Sequence, residues 1–167
     1  MSRLPPNIVV RAEALGDAQG IGSVHLTAFP TADEARLVDR LRADGDCEIS
    51  LLAIEGTMVV GHVAFSKMQA PFRALSLGPV AVLPQLQRSG IGGALIREGL
   101  QQARDAGWQG VFVLGNPFYY ERFGFSVSEA AGFSSFYAGP YFMLAPLEDI
   151  QVREGRVEYA PAFAALP

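Results

Sequence analysis

The sequence predicts one α/β domain of the α+β type, with a mixed, largely antiparallel sheet of about six to seven strands flanked by helices. Three observations predict it. Strands and helices alternate only in part along the chain. Two β-rich runs are joined by Glu55-Gly56-Thr57, a strong hairpin signal. A long amphipathic helix lies between a strand that is apolar on both faces and a second apolar run. With 167 residues, half of them hydrophobic, and no repeat, low-complexity tract or long linker, residues 1–167 form one domain. Its core spans 8–147, and 148–167 is a C-terminal extension with room for one more strand.

In chain order, Asn7–Arg11 is a short β-rich run after two prolines. Over Asp17–Phe29 the spacing of Ile21, Val24, Leu26 and Ala28 predicts a helix. A second helix fits Asp33–Asp44, with Leu37, Val38 and Leu41 on one face and Arg36, Arg40 and Arg42 among acids on a solvated face. Asp33 and Glu34 sit in its first turn, where negative charge suits the helix dipole. Ile49–Glu55 and Met58–Lys67 are the hairpin strands. Leu75–Leu83 reads as a central strand, and its Gly78-Pro79 pair calls for a bulge or an opening of the ladder, because proline donates no hydrogen bond. The long helix presents Ile91, Leu95, Ile96, Leu100 and Ala103 inward, and Gly107 follows its end. Gly110–Leu114 is a buried strand. An aromatic segment, a Ser/Gly/Phe loop, a strand near Tyr141–Leu144 and a run at Arg156–Tyr159 complete the chain.

Composition excludes several classes of function. Thirteen Lys+Arg against seventeen Asp+Glu give a net charge of −4, with no basic excess to engage a nucleic-acid backbone. A lone Cys47 and two separated histidines, His25 and His62, make neither a disulfide framework nor a zinc cluster, so no metal is expected. The start of the chain lacks the apolar run of a signal peptide, and no stretch is long enough to span a bilayer, so a cytoplasmic protein without a membrane partner is expected.

The segment that carries chemistry is Gln87-Arg88-Ser89-Gly90-Ile91-Gly92-Gly93, between a strand and the long helix. Glycines there let backbone N–H groups converge at the positive end of the helix, a site for phosphate or pyrophosphate to which Arg88 adds a charge-assisted contact. On spacing alone, a tight turn packed closely into a helix is an equal alternative. A P-loop would need Lys-Ser/Thr after the last glycine, where Ala94-Leu95 stands. A dinucleotide fold would need the glycine turn after the first strand and an acid at the end of the next, and Gly110–Leu114 ends in none.

The run from Val80 to Ile96 resembles the acetyl-CoA signature of the GNAT superfamily of N-acetyltransferases, Gln/Arg-x-x-Gly-x-Gly/Ala. A tyrosine four residues before a Gly-Phe pair, the family's second signature, is matched by Tyr120 and Gly124-Phe125. The resemblance extends from about Ile8 to Leu147. Residues 34–46 and 115–125 look like a branch of small bacterial predicted acetyltransferases.

The resemblance implies a sheet splayed at the cofactor strand, with the pantetheine arm in the gap. Backbone groups of Val80, Ala81 and Val82 would pair with its amides, and the N–H groups of Arg88, Ser89, Gly90, Ile91, Gly92 and Gly93, beside Gln87, would hold the pyrophosphate. It implies acetyl-CoA as co-substrate, an amine of a small molecule or peptide as acceptor, and direct attack of the neutral amine on the thioester. A backbone N–H near Val80 would stabilise the oxyanion, and Tyr120 would return a proton to the thiolate. An ordinary phenol near pKa ~10 and a thiol near ~8.5 make that transfer only about 2 kcal/mol uphill. The alternative for Tyr120 is one more core aromatic beside Phe118, Tyr119, Phe123 and Phe125.

His62, on the face of its strand that also carries Ser66, is either a general base or a buried, satisfied histidine. Asn116 hydrogen-bonds either cofactor or a strand end, and Pro117 directly after it departs from the usual pattern. Phe29, Phe72, Phe133, Phe136 and Tyr137 either line an apolar acceptor site or cover the core. A non-catalytic acyl-CoA-binding module is the rival reading, favoured by the absence of a carboxylate from SLGPVAV. Monomer and homodimer both stand open.

Overall fold

The computed structural model describes residues 4–166. Strand β1 (Ile8–Ala12) leads into helices α1 (Ala18–Ala28) and α2 (Asp33–Ala43), then into β2 (Cys47–Glu55), β3 (Met58–Gln69) and β4 (Ala74–Val82). Helix α3 (Ile91–Asp105) is followed by β5 (Gly110–Leu114), the short helices α4 (Pro117–Tyr120) and α5 (Val127–Ala130), and β6 (Phe133–Ser134), β7 (Phe142–Pro146), β8 (Gly155–Arg156) and β9 (Glu158–Tyr159). The main sheet runs β1-β2-β3-β4-β5-β7, with β9 added to the end of β3. Every pairing in it is antiparallel except β4 with β5, so the sheet is mixed and largely antiparallel as the sequence predicts. Among the described residues, no helix is long and apolar enough to cross a membrane.

Period-two alternation in β2 places Leu51 and Leu52 in clusters on opposite faces. Leu51 packs in the cluster that holds Phe65, Leu75, Val111 and the apolar stripe of α3, namely Ile91, Leu95, Ile96, Leu100 and Ala103. Leu52 packs with Ile21 of α1 and Val38 of α2. Helix α1 departs from the sequence reading at one position. Leu26 is 54% exposed, and His25 takes the inward place, because a stripe through Ile21 and Val24 continues one position earlier, at 25 and 28.

The expected irregularity at Gly78-Pro79 is present. Val63 pairs with Val80 and Phe65 with Leu77, so two steps along β3 oppose three along β4, and the surplus residue bulges at a cis Gly78–Pro79 peptide. On its other edge, β4 pairs with β5 only at Ala74, Leu75 and Ser76. Beyond Ser76 the two strands part, while β5 continues paired to β7 as far as Leu114.

The C-terminal segment differs from a single added strand. Gly155–Arg156 pairs with β6 and Glu158–Tyr159 with β3, and Val157 between them is buried. From there Ala160 and Ala162 pack on Leu37 and Leu41 of α2.

The Phe65 ring lies against the backbone of α3 at Gly99, so a Cβ there would run into it. Glycine in a helix interior costs about 1 kcal/mol against alanine, yet overpacking a core costs typically ~1–3 kcal/mol. Gly99→Ala should therefore lower the melting temperature by a few degrees; a rise would show that Phe65 yields freely.

Candidate functional site

Where β4 leaves β5, two cavities meet. The first, about 630 Å³, is lined by Val80, Val82, Leu86, Gln87, Arg88 and the glycines 90, 92 and 93, and closed by Arg97, Tyr119, Tyr120, Arg122 and Phe123. Its floor is the turn into α3. Arg88 (φ 65°) and Gly90 (φ 92°) both adopt left-handed backbone, which curls the loop into a concavity. The first helical bond of α3 runs from the Ala94 N–H to the Gly90 carbonyl at 3.0 Å, so the amides of Ile91, Gly92 and Gly93 precede the helical pattern at its positive end.

On the wall of this cavity, the Leu83 N–H donates back to Val60 at 2.9 Å. The alternation of an antiparallel ladder then turns the backbone groups of Val80 and Val82 toward the open side. Gln87 Nε2 donates to the Val82 carbonyl at 3.2 Å and fixes the exit of the strand.

Three guanidiniums face this space, Arg88, Arg97 and Arg122. None forms an ion pair with a carboxylate among the described residues. Arg97 lies over the Phe123 ring at 4.9 Å and Arg122 over the Tyr119 ring at 4.8 Å. In a chain of net charge −4 this is a local concentration of positive charge. Sequence reasoning singled out Arg88 alone. Arg97 was accessible to it as well, being one helical turn after Gly93 on the same face.

Other expected residues lie around the cavity rather than on its lining. Ala81 is buried opposite His62, Ile91 belongs to the core, and the Ser89 hydroxyl donates to the Leu86 carbonyl and so holds the turn. Asn116 caps α4, its Oδ1 accepting from the Phe118 N–H at 3.0 Å. That bond spends the side-chain oxygen on the helix that carries Tyr120.

The second cavity, about 410 Å³, lies on the other side of the gap. Val80 and Tyr120 line both cavities, whereas Tyr119 lines the first alone. This separates the two tyrosines, which lie edge to face with centroids 5.0 Å apart. Gly115 makes room for the Tyr120 ring, since a Cβ there would come within 2.5 Å of it. Burial pushes the Tyr120 phenol up to about 12, with Tyr119 beside it adding to the shift. The phenol is thus a protonated donor throughout the neutral range.

Of the loop aromatics, Phe29 and Tyr137 line the second cavity. Phe72 and Phe133 pack with Phe112 in the core, and Phe136 is exposed. Glu34 of α2, which the sequence offers only as a helix-dipole partner, also lines this cavity, and its Oε2 is buried without a hydrogen-bond partner.

His62 is not brought to either cavity lining. It is fully buried in a chain that crosses from Glu13 to His25: Glu13 Oε1 to Ser50 Oγ 2.6 Å, Ser50 Oγ to His62 Nε2 2.8 Å, His62 Nδ1 to His25 Nε2 2.8 Å. An ionised Glu13 accepts only, so Ser50 donates to it, His62 donates through Nε2 to Ser50, and His25 donates through Nε2 to the His62 Nδ1 lone pair. Burial works to raise the Glu13 carboxyl, but hydrogen bonds from Arg42 and Ser50 leave it below its usual range. Arg42, expected on a solvated face, is bound to Glu13 at 2.6 Å and to Asp39 at 2.9 Å. Burial holds both imidazoles well below their ordinary value; His25 and Arg42 lower His62 further, and Asp39 offsets the shift at His25 in part.

The model of the Acetyltransferase (GNAT) family matches residues 19–125. The uncharacterized N-acetyltransferase YjhQ of Escherichia coli is 39% identical over 133 residues, covering 75% of this chain and 71% of that protein. Escherichia coli YhbS, another uncharacterized N-acetyltransferase, is 34% identical over 125 residues, 72% of this chain and 75% of its own. The crystal structure of YhbS in complex with CoA superimposes with a TM-score of 0.91 at 28% identity, over 100% of this chain and 97% of that one. A GNAT family acetyltransferase from Brucella melitensis, in complex with acetyl-CoA, gives a TM-score of 0.81 at 38% identity, over 93% and 97% of the two chains.

The buried histidine pair has a consequence for stability. Both imidazoles are held neutral in the fold and titrate normally when unfolded, so the unfolded chain binds more protons below pH ~6.5 and stability falls with pH there. Between pH 7.5 and 5.5 the loss should be about 2–3 kcal/mol, read as a melting temperature lower by several degrees. A melting temperature flat across that window would mean that the chain tolerates a charged imidazole.

Proposed function

The chain belongs to the GNAT acetyltransferase family, and from that premise we propose that it binds acetyl-CoA in the first cavity and transfers the acetyl group to an amine held in the second. The observation that carries this reading is the shared lining: Val80 and Tyr120 belong to both cavities, so a thioester reaching the gap from one side meets a nucleophile arriving from the other. CoA carries a pyrophosphate and a 3′-phosphate. The glycine cup with Arg88, Arg97 and Arg122 supplies backbone donors and cations for them. The free edge of β4 at Val80 and Val82 offers backbone groups to the pantetheine amides, as an added strand would.

In the reaction, the amine lone pair attacks the thioester carbonyl. The C–N bond forms, a backbone N–H near Val80 stabilises the oxyanion, and the C–S bond breaks. The amine nitrogen loses a proton to water, Tyr120 protonates the departing thiolate, and the phenolate recovers a proton from solvent. With the phenol at about 12, the gap to an ordinary thiol near ~8.5 is about 5 kcal/mol, wider than an exposed tyrosine would give. The burial that raises the phenol also raises the basicity of a thiolate formed beside it, which narrows that gap. His62 has no part in this scheme, because its ring nitrogens are both engaged in the buried chain. The chain as one catalytic domain over 1–167, soluble in the cytoplasm, belongs to the same proposal.

A non-catalytic acyl-CoA-binding role draws on one observation, the absence of any carboxylate from β4. Thermal unfolding with acetyl-CoA, CoA and NAD, followed by thiol release in the presence of amines, separates the two. CoA species at about 100 times Kd should add ~2.7 kcal/mol of stability, several degrees in Tm. Gly90→Asp should abolish that shift. Tyr120→Phe should keep it and lower kcat by about 10²–10⁴-fold, while Tyr119→Phe stays close to the parent. Turnover unaffected in Tyr120→Phe would remove the proton-donor role, and no shift with CoA would sink the cofactor assignment.

A further inference from the structure

Resting on that acetyl-transfer reading, we infer that the acceptor is a small primary amine borne on an apolar or aromatic body, with its cationic head selected by the carboxylate of Glu34. Glu34 is unlike the other acids of its helix. Each arginine of α2 is paired with a different carboxylate: Arg36 with Asp33, Arg40 with Asp44, Arg42 with Glu13 and Asp39. Glu34 is left without a cation among the described residues, and its Oε2 is buried with no hydrogen-bond partner while lining the second cavity. A carboxylate so placed, in a lining that contains no Lys, Arg or His, is complementary to an ammonium group and hostile to a second carboxylate.

The rest of the cavity is mostly apolar, with Tyr120, Tyr137 and Tyr159 also on its lining. Phe29, Leu37, Leu77, Pro79, Leu114 and Phe163 form its walls, with no second acid to meet a second cation. Tyr159 adds a hydroxyl that is also buried without a partner, and its ring packs edge to face on Phe163 at 5.1 Å. The two orphaned oxygens, Glu34 Oε2 and Tyr159 Oη, therefore offer an amine an ionic acceptor and a neutral one inside an apolar shell. A volume of about 410 Å³ suits a small molecule. The head binds Glu34 as an ammonium and gives one proton to water before it attacks, so the neutral amine meets the thioester beside Tyr120, which lines the same cavity.

The test measures thiol release at saturating acetyl-CoA with 2-phenylethylamine, hexylamine, putrescine and lysine, in the wild type, Glu34→Gln and Glu34→Asp. The apolar monoamines should exceed putrescine and lysine by about tenfold or more in kcat/KM, the scale of one buried polar or apolar mismatch. Glu34→Gln should raise KM for 2-phenylethylamine about 10- to 100-fold with little change in kcat. It should leave the CoA-induced thermal shift intact, and Glu34→Asp should recover part of the loss. A preference for putrescine or lysine, or an unchanged KM in Glu34→Gln, overturns the inference while acetyl transfer stands. A CoA shift without turnover of any of these amines, and without calorimetric binding of 2-phenylethylamine to the CoA-loaded protein, overturns it too. Absence of both the CoA shift and all thiol release marks failure of the acetyl-transfer reading itself.

Discussion

Everything at the centre of this molecule follows from one interrupted ladder. Strand β4 is held by β5 through only Ser76, then bulges at Gly78-Pro79 and continues alone on that edge. An unpaired edge inside a sheet is normally a liability, because its N–H and C=O groups want partners. Here the opening is sustained from both sides: β4 stays paired with β3 through Val82, and β5 stays paired with β7 through Leu114. The strands are thus individually rigid while the space between them is open. Two cavities meet there, and the side chain that rises beside the gap is Tyr120, held on a four-residue helix by the Asn116 cap and by the room that Gly115 leaves for its ring.

Charge is distributed across that gap with opposite signs. Arg88, Arg97 and Arg122 face the first cavity, and Glu34 faces the second. The net charge of −4 conceals this separation, because the other arginines of the helical face are consumed by acids, most tightly Arg42 by Glu13. A weakly acidic chain can therefore attract a polyanionic ligand to one cavity and a cation to the other without either field being visible in the composition.

What the sequence made legible was whatever is written locally. The stripe of α3, the glycine turn, the hairpin and the Gly78-Pro79 interruption are patterns of neighbours, and the structure has them where they are predicted. What it hid depends on which face of an element meets which other element. His62 stands on its strand where a base could stand, but period-two alternation does not say what covers that face, and Ser50 and His25 cover it. Leu26 was exchanged for His25 because a polar residue breaks an apolar pattern unless its hydrogen-bond partner, distant in sequence, is known. Glu34 looks like an ordinary first-turn acid, since nothing near it in the chain reveals that it shares a cavity with the C-terminal segment. Arg122 was masked by the aromatic run in which it sits.

The C-terminal segment sharpens the division between the two cavities. The first is built wholly from residues 80–123, all inside the stretch matched by the family model at 19–125. The second draws most of its lining from that stretch, Phe29, Glu34 and Tyr120 included, and adds Tyr137, Tyr159, Phe163 and Leu166 from beyond it. Tyr159, Phe163 and Leu166 belong to a tail placed by short contacts distant in sequence: β9 contributes only Glu158 and Tyr159 to the end of β3, and the turn after it rests on Leu37 and Leu41 of α2. The first cavity rests on the sheet and the glycine cup, whereas the second joins the tail to Gly78, Pro79 and Val80 of the β4 opening. Under the proposed reading, selectivity for the acceptor rests on the contact between the tail and α2, the helix that carries Glu34. That contact couples the walls of the cavity to its one carboxylate.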